Sequence, residues 1–542
     1  MDNKIIFTFP PRKTYDNLIQ NGHYFYGYNV GVYYIAAHLR EHDIQADIGC
    51  TECESDMDYT QLYAQIKNQN YPVVNISYNQ GRFTPAIKSF VNQLKKDFPH
   101  IFIVVGGHFA TFAYREILTQ IANIDAVVIG EGEEPMLELL QNLHQPQFAD
   151  GIALRINGQI LEPRPGKRLT DLDSLPFPVA DFMRVNPQIE YVPIVSVRGC
   201  YGNCSFCQMP AYYKRQIYRK SAKTVVDEME IYALQYGKRN FRFFDYNTLD
   251  SSNTSLQWID DFKNELQKRQ LSVHFNMQLR VNDCIREVIE PLLEIGLEQL
   301  NLGIENFNDT VLQRFKKGIN MKQIISALHL LHGYNIKIKA YFINFEPDMS
   351  FAELKKNVRY MTMFNLADID CLYNYCKPDF GTPMRKKLLE EGRIKTENWY
   401  DTGIYVFNDP QVQLIFDVLI YHNESVIHAL ESHMVDTRMK YRPLSAAYLT
   451  LPYEDRVTLR SDILTIKEYD KKIWQLYRNK LTNIFTEALQ FAEEKRQEEE
   501  KTAYIQHFSY RFSQLSVESK LLYEIITPSI NRVAERVHYG NK

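Results

Sequence analysis

The sequence predicts an α/β protein with three parts: a parallel-sheet domain, a second series of strand–helix units, and a mainly helical C-terminal region. Short, uninterrupted apolar segments alternate with segments of helical periodicity in two series, one before residue 150 and one between residues 191 and 390. Apolar strands separated by helices are typical of parallel sheets that are covered on both faces. Beyond residue 390, strand-like segments are scarce, and helical spacing is found at 461–492.

The first domain is predicted to span residues 1–150. Its predicted strands are 4–9, 44–48, 73–77, 101–105 and 126–129, and its predicted helices are 31–40, 59–68, 84–98 and 135–143. Two glycine turns follow the last two strands: Gly106-Gly107-His108 and Gly130-Glu131-Gly132. Since ligands of parallel sheets bind beyond the carboxyl ends of the strands, we expect these turns to lie at a binding site.

Residues 151–190 form a predicted linker with a hairpin at 151–161, in which Asn157 and Gly158 make the turn. The second domain is predicted at 191–390. Its predicted strands are 193–197, 241–245, 274–279, 299–305, 336–344 and 368–375, and its predicted helices are 223–236, 255–267, 285–296, 321–334 and 351–364. The last part, 391–542, is expected to be mainly helical and related to the substrate.

The composition is that of an ordinary globular protein, with 45% hydrophobic and 24% charged residues. A net charge of −4 gives no reason to expect nucleic acid as a partner. The first residues lack the features of a secretion signal, and no apolar run is long enough to span a bilayer. Eight cysteines in 542 residues do not describe a disulfide framework, so we expect a cytoplasmic protein.

Three cysteines, Cys200, Cys204 and Cys207, follow the first strand of the second domain. Their spacings of four and three residues do not suit one face of a strand, but they suit a tight loop around a metal centre. Soft thiolates favour zinc, copper(I) or iron–sulfur centres. Zinc and ferredoxin-type sites need four ligands, and no fourth cysteine follows nearby. Three ligands on a cubane cluster leave one iron open; the alternative is three structural cysteines.

The C-x-x-x-C-x-x-C spacing resembles the signature of the radical S-adenosylmethionine (radical SAM) superfamily. The resemblance implies a [4Fe–4S] cluster held by Cys200, Cys204 and Cys207, with S-adenosylmethionine chelating the open iron and Phe206 close to its adenine. It also implies that the second domain is the partial (β/α)6 barrel of that family. Chemistry in such barrels lies at the carboxyl ends of the strands.

The first domain resembles the cobalamin-binding domain that precedes many radical SAM barrels, through V104-V-G-G-H-F-A-T111 and V128-I-G-E-G-E133. The resemblance implies that a cobalamin pocket is lined by Ser77, Gly106, Gly107, Gly130, Glu131 and Gly132. His108 is expected in the pocket wall or at the nucleotide tail. The D-x-H-x-x-G signature that supplies a cobalt ligand elsewhere is absent. Cys50 and Cys53 form a separate pair, which is either incidental or has a redox or metal-binding role.

Polar residues end several predicted barrel strands and resemble the cofactor-binding positions of the radical SAM family. Asp245 and Glu305 are candidates for the amino group or ribose of S-adenosylmethionine, and Gln278 and Arg280 end the third strand. Arg280 would pair with the methionine carboxylate in a bidentate manner. Tyr246 follows Asp245 where the family often has a second aspartate. A capping carboxylate and a structural salt bridge are the alternatives for Asp245 and Arg280.

The predicted sixth strand carries Cys371, Tyr373 and Tyr375 with one parity and Cys376 with the other. If the odd-numbered set faces the barrel lumen, Cys371 and Tyr373 are candidate catalytic residues for proton or hydrogen-atom transfer. Plain packing is the alternative. The phrase P378-D-F-G-T-P-M-R385 resembles the segment that closes the barrel in this family.

The resemblance as a whole implies a cobalamin-dependent radical SAM enzyme. Such an enzyme cleaves S-adenosylmethionine to a 5′-deoxyadenosyl radical, and methylcobalamin then methylates an unactivated carbon of a small-molecule or peptide substrate. An electron donor such as flavodoxin or ferredoxin would reduce the cluster. The alternatives are a cyclisation or rearrangement without methyl transfer, radical SAM chemistry without cobalamin, and a non-catalytic cobalamin or redox sensor.

Overall fold

A computed structural model describes residues 4–9, 30–49, 60–185, 189–334, 336–421, 423, 427, 453–493 and 501–539. The cysteine pair at positions 50 and 53 lies outside these residues. The predicted order of a parallel-sheet domain, a partial barrel and a helical C-terminal region is confirmed. Within the described part of the chain, the search for a helix both long and apolar enough to cross a membrane finds none.

The first sheet has seven strands in the order β2-β1-β3-β4-β5-β6-β7. The strands are β1 (Lys4–Thr8), β2 (Gln45–Ile48), β3 (Val73–Ser77), β4 (Phe102–Gly106), β5 (Ala126–Val128), β6 (Ile152–Ile156) and β7 (Gln159–Leu161). Strands β1 to β5 pair in parallel, and the 2-1-3-4-5 order is that of a flavodoxin-like sheet. The predicted hairpin is confirmed as β6 and β7, whose turn residues Asn157 and Gly158 both have positive φ. Because β6 pairs with β5, the sheet extends into the predicted linker.

Helices cover both faces of this sheet. They are α1 (Val30–Arg40), α2 (Thr60–Gln69), α3 (Thr84–Asp97), α4 (His108–Phe112), α5 (Tyr114–Gln120), α6 (Glu133–Gln141) and α7 (Val179–Val185), the last of which lies in the linker. In α3, the side chains of Ile87, Phe90, Val91 and Leu94 recur at helical spacing and form a buried apolar stripe.

The second sheet contains five parallel strands in chain order: β8 (Val192–Ile194), β11 (Asn240–Phe243), β12 (His274–Arg280), β13 (Leu297–Glu305) and β14 (Lys337–Phe342). The helices around it are α9 (Ala222–Tyr236), α10 (Asn253–Lys268), α11 (Arg286–Glu294), α12 (Asp309–Arg314), α13 (Met321–Gly333) and α14 (Phe351–Met363). The Ser252 side chain caps α10 by accepting the backbone N–H of Ser255.

The predicted strand 193–197 is broken in the structure. It becomes β8 and a separate strand β9 (Val197–Gly199), which pairs in antiparallel fashion with β10 (Ile217–Arg219). The carboxylate of Asp245 causes the break: Oδ1 accepts the backbone N–H groups of Ser196 at 2.9 Å and Val197 at 3.0 Å. These two amides are therefore unavailable to the sheet, and the chain turns away toward the cysteine loop.

The predicted sixth strand, 368–375, is wrong. The segment forms a short helix α15 (Ile369–Leu372), and a single parallel bridge between Phe345 and Tyr375 occupies the sixth position. The Asp368 side chain starts this helix by accepting the backbone N–H of Cys371 at 3.0 Å. An aspartate that caps a helical turn competes with strand pairing, which the apolar alternation did not reveal.

The C-terminal region is mainly helical, as predicted. Its elements are β15 (Ile394–Lys395), β16 (Ile404–Tyr405), α17 (Pro410–Phe416), α18 (Tyr453–Glu493) and α19 (Lys501–Tyr539). The barrel domain before it also contains helix α8 (Met209–Tyr213), which follows the three cysteines, and ends with α16 (Pro383–Glu390). The ion pairs Lys480–Glu518 and Arg532–Asp462 show that α18 and α19 run antiparallel.

The two domains share a buried polar contact. Tyr34 of α1 donates to the Glu228 carboxylate of α9 at 2.9 Å, and the Lys220 ammonium lies 2.9 Å from the same carboxylate. The Lys220 and Glu228 side chains are each 1% exposed. A buried charge is tolerated only when it is paired, so this triad fixes how α1 packs on the barrel.

Replacing Glu228 by Ala leaves the Lys220 charge buried without its carboxylate. We expect the free energy of unfolding to fall by roughly 3–5 kcal/mol. Urea denaturation at pH 7 measures this change. Glu390→Ala, which breaks the exposed Lys386–Glu390 pair of α16, is the control and should cost less than about 0.5 kcal/mol. Equal losses in both variants would contradict the role of the triad.

Candidate functional site

The cysteine loop lies at the carboxyl end of the barrel, between β9 and α8. Its centre is held from two sides. The backbone N–H of Ser205 donates to the carbonyl of Phe315 at 2.8 Å, and the carbonyl of Ser205 accepts the N–H of Met384 at 3.0 Å. Gln208 also donates to the carbonyl of Phe380 at 2.8 Å. The loop is therefore anchored to both the barrel and the P378–R385 segment.

The cysteine side chains form a compact thiol group. Burial, together with the nearby Cys204 and Cys200 thiolates, raises the pKa of Cys207 to about 12. Crowded thiolates of this kind need a cationic partner. In the described part of the chain, no three His, Cys, Asp or Glu side chains converge as a site for one metal ion. A cubane cluster spreads its three ligands over three irons, so this donor set fits the cluster.

Arg280 ends β12 directly beneath the loop. Its Nη1 lies 3.6 Å from Cys204 Sγ, Nη2 donates to the carbonyl of Lys317, and the guanidinium lies over the Tyr201 ring. The Tyr201 hydroxyl in turn donates to Asp283 at 2.6 Å. The predicted contact of Arg280 with the methionine carboxylate stays a prediction, and its contact with the cluster loop was not foreseen.

Glu305 ends β13 with a φ of 65°, at a register shift between β13 and β14. Non-glycine residues in this left-handed region are uncommon and are enriched at functional sites. Its carboxylate accepts from the Lys317 ammonium at 2.7 Å, and both side chains are buried. Sequence reasoning missed Lys317, which lies in a polar turn without a recognised motif.

The remaining barrel candidates are also placed at the carboxyl edge. Asp245 is buried, and its Oδ2 accepts the Ser196 hydroxyl at 2.6 Å, while burial raises the pKa of the carboxyl group. Gln278 donates to the carbonyl of Tyr246 at 3.1 Å. Phe206 packs edge-on against Phe315. Their contacts with S-adenosylmethionine stay predictions.

The glycine turns of the first domain differ in what surrounds them. A Cβ at Gly130 would meet open space, whereas Cβ atoms at Gly107 and Gly132 would lie 2.3 Å from Asn79 Oδ1 and 2.6 Å from Ile35 Cδ1. Gly130 therefore fits the wall of a ligand cavity, and the other two serve packing within the domain. Gly106 and Ser77 are paired side by side at the carboxyl ends of β4 and β3, where a corrin or its tail would approach.

The carboxyl edges of the two sheets face each other. His108, in the turn after β4, has its Nε2 3.2 Å from the hydroxyl of Tyr246, which follows β11. The Tyr212 ring packs edge-on against His108 from the α8 side. Burial lowers the pKa of His108 to about 4, so the imidazole is neutral at pH 7, and it shares one hydrogen bond with the tyrosine hydroxyl. These side chains therefore lie at the interface between the two candidate cofactor sites, and the space between the two edges is called the chamber below.

A second contact joins the same edges. Arg198 of β9, two residues before Cys200, lies 2.6 Å from Glu133 and 3.3 Å from Glu131. Burial alone would raise the pKa of Glu133, but the Arg198 charge holds it below its usual value. Arg168 also lies 3.0 Å from Glu131. The structure thus places Glu131 against basic side chains, and its contact with cobalamin stays a prediction.

Cys371 and Tyr373 lie apart from this chamber. Cys371 is buried against the Ala340 carbonyl of β14, and Tyr373 packs between Phe485 of α18 and Phe512 of α19. The Tyr373 hydroxyl has no hydrogen-bond partner among the described residues. With the predicted strand absent, the parity argument for a lumen position no longer holds. These contacts favour packing, the alternative that the sequence left open.

Two family models match the chain. The B12 binding domain matches residues 23–140, and the radical SAM superfamily matches residues 194–361. These matches correspond to the first sheet and to the barrel with its cysteine loop.

Named relatives and a solved structure agree with these matches. An uncharacterized methyltransferase of Pyrococcus horikoshii is 25% identical over 71% of this chain and 83% of its own length. The anaerobic magnesium-protoporphyrin IX monomethyl ester cyclase of Synechocystis is 27% identical over 49% of this chain, which spans about half (55%) of that protein. The cobalamin-dependent S-adenosylmethionine radical enzyme OxsB shares the fold, with a TM-score of 0.68, 15% identity, and coverage of 99% of this chain and 83% of that one.

A B12-binding sheet and a radical SAM barrel whose carboxyl edges share one chamber define a two-cofactor radical enzyme. The chain belongs to the cobalamin-dependent radical SAM family. The cofactors of that family are cobalamin, S-adenosylmethionine and a [4Fe–4S] cluster, in agreement with the sequence prediction.

The lowered pKa of His108 predicts how the stability of the fold depends on pH. The neutral imidazole stabilises the fold fully above the usual histidine pKa of about 6.5, and this stability is lost as the pH falls toward 4. The difference in urea midpoint between the wild type and His108→Asn should therefore shrink between pH 7 and pH 4.5. Tyr246→Phe keeps the imidazole and should keep the acid sensitivity. A difference that does not vary with pH would contradict the prediction.

Proposed function

We propose that this enzyme methylates an unactivated carbon of a small-molecule or peptide substrate. The observation that carries the proposal is the shared chamber, where the carboxyl edges of the two sheets meet at the His108–Tyr246 hydrogen bond. A radical formed at one cofactor and a methyl group held at the other must meet on one substrate atom. The methyltransferase relative supports the same outcome.

The bound cofactors would supply a 5′-deoxyadenosyl radical for hydrogen abstraction and a methyl group for transfer to carbon. The chain's own residues hold these groups. Cys200, Cys204 and Cys207 would ligate the cluster, and the buried Glu305–Lys317 pair would face the amino acid or ribose portion of S-adenosylmethionine.

The reduced cluster requires an electron donor, and we propose a flavodoxin or ferredoxin in the cytoplasm. A reducing compartment suits a cluster whose cysteines include two, Cys200 and Cys207, that are partly exposed at the loop.

A cyclisation or rearrangement without methyl transfer is the second candidate, since a cyclase is among the relatives. Product made with methyl-deuterated S-adenosylmethionine separates the two by mass spectrometry. The proposal predicts a product that carries label in an added methyl group. A product formed in turnover without that label would contradict methyl transfer and support the cyclase alternative.

The cysteine loop and the cobalamin site are expected to bind their cofactors separately. Changing Cys200, Cys204 or Cys207 to Ala should remove the cluster iron and abolish 5′-deoxyadenosine formation under dithionite, while the corrinoid absorption spectrum is retained. Cys371→Ala, which lies under α18, is the matched control and should keep the iron. Loss of both cofactors in the loop variants would mean that the two sites are not independent.

A further inference from the structure

Arg280 is oriented toward the cysteine loop rather than into solvent. We propose that Arg280 is a positioning residue that donates a charge-assisted hydrogen bond to the Cys204 thiolate and so raises the reduction potential of the [4Fe–4S] cluster. The inference rests on the cluster assignment in the proposed function, but it does not depend on the substrate or on methyl transfer.

The guanidinium is fixed on several sides. Nη1 lies 3.6 Å from Cys204 Sγ, and Nη2 donates to the carbonyl of Lys317. Its centre lies 5.1 Å from the centroid of the Tyr201 ring, and the side chain is 7% exposed. The backbone N–H of Arg280 donates to Asn247 Oδ1 at 3.0 Å, which fixes the origin of the side chain. The donor atom is therefore held against the thiolate and cannot rotate freely into water.

Gly202 leaves room in the cysteine loop for the guanidinium of Arg280. A Cβ at Gly202 would lie 2.5 Å from Arg280 Nη1. The φ of Gly202 lies outside the left-handed region, so its backbone does not require glycine. Glycine is needed here because any side chain would push the guanidinium away from the cluster loop. The middle residue of the C-x-x-x-C segment, Gly202, thus serves the Arg280–Cys204 contact.

Arg280 supplies the positive charge beside the cysteine loop. The Lys317 ammonium is already paired with Glu305 at 2.7 Å, so the net positive charge at Cys204 comes from Arg280. A reduced cluster carries one more negative charge than the oxidised form. Hydrogen bonds to the sulfurs and local charge set the potentials of such clusters, and burial strengthens both effects. A cationic donor at Cys204 therefore stabilises the reduced form more than the oxidised form.

Arg280 also has a second possible ligand. Its Nε is buried without a hydrogen-bond partner among the described residues, so the guanidinium could additionally face the methionine carboxylate. Measuring the cluster without S-adenosylmethionine separates the two roles, because a residue that serves only the carboxylate does not alter the cluster by itself.

The test uses the full chain, reconstituted anaerobically with iron and sulfide, and a redox titration followed by electron paramagnetic resonance. Without S-adenosylmethionine, Arg280→Gln should lower the equilibrium constant for cluster reduction by about tenfold, a fall of about 59 mV for one electron. Gly202→Ala keeps the charge but displaces it, and it should lower the potential in the same direction. Tyr201→Phe keeps the ring beneath the guanidinium and should leave the potential unchanged.

An unchanged potential in Arg280→Gln, together with weaker S-adenosylmethionine binding, would overturn the proposal and assign Arg280 to the carboxylate alone. If Arg280→Gln does not retain the cluster, Gly202→Ala decides: a lower potential supports the proposal, and an unchanged one overturns it. Failure of the wild type to hold a [4Fe–4S] cluster would instead contradict the proposed function.

Discussion

The relative position of the two cofactor domains depends on the buried ion pairs of Arg198 with Glu133 and Glu131. Arg198 lies two residues before the first cluster cysteine, whereas Glu131 lies in the glycine turn of the candidate corrin site and Glu133 is the first residue of α6. Removing one partner of such a buried pair leaves an uncompensated charge, so the pair strongly disfavours any displacement of the two turns. The Tyr34–Glu228–Lys220 triad holds the same domains together at a second place.

This constraint explains why two unrelated parallel sheets can serve one reaction. Each sheet offers a ligand site at the carboxyl ends of its strands. Each site alone would give a cofactor domain, but the interface brings the two edges face to face across His108 and Tyr246. The Tyr212 ring packs against His108 at this contact, and one more buried cation, Arg280, lies on the cluster side. Two reactive groups can then act on one substrate atom.

Much of the fold could be predicted from sequence, because apolar periodicity and glycine turns report local structure directly. The sequence-based prediction failed where a polar side chain bonds to a residue in another part of the chain. Asp245 looked like a cofactor ligand, yet it binds the backbone of Ser196 and breaks the first barrel strand. Asp368 caps a helix where alternation predicted a strand. Lys317 and the Arg198 pairs join residues far apart in sequence, so spacing carried no signal for them.

The central claim is that the cluster and the corrin share one chamber. The dipolar coupling between the reduced cluster and cob(II)alamin, measured by pulsed electron paramagnetic resonance on the doubly loaded chain, tests it most directly. The geometry predicts a strong coupling with a single narrow distance distribution, and Arg198→Ala should broaden that distribution. The absence of coupling in the wild type, with both centres present in full amount, would contradict the account.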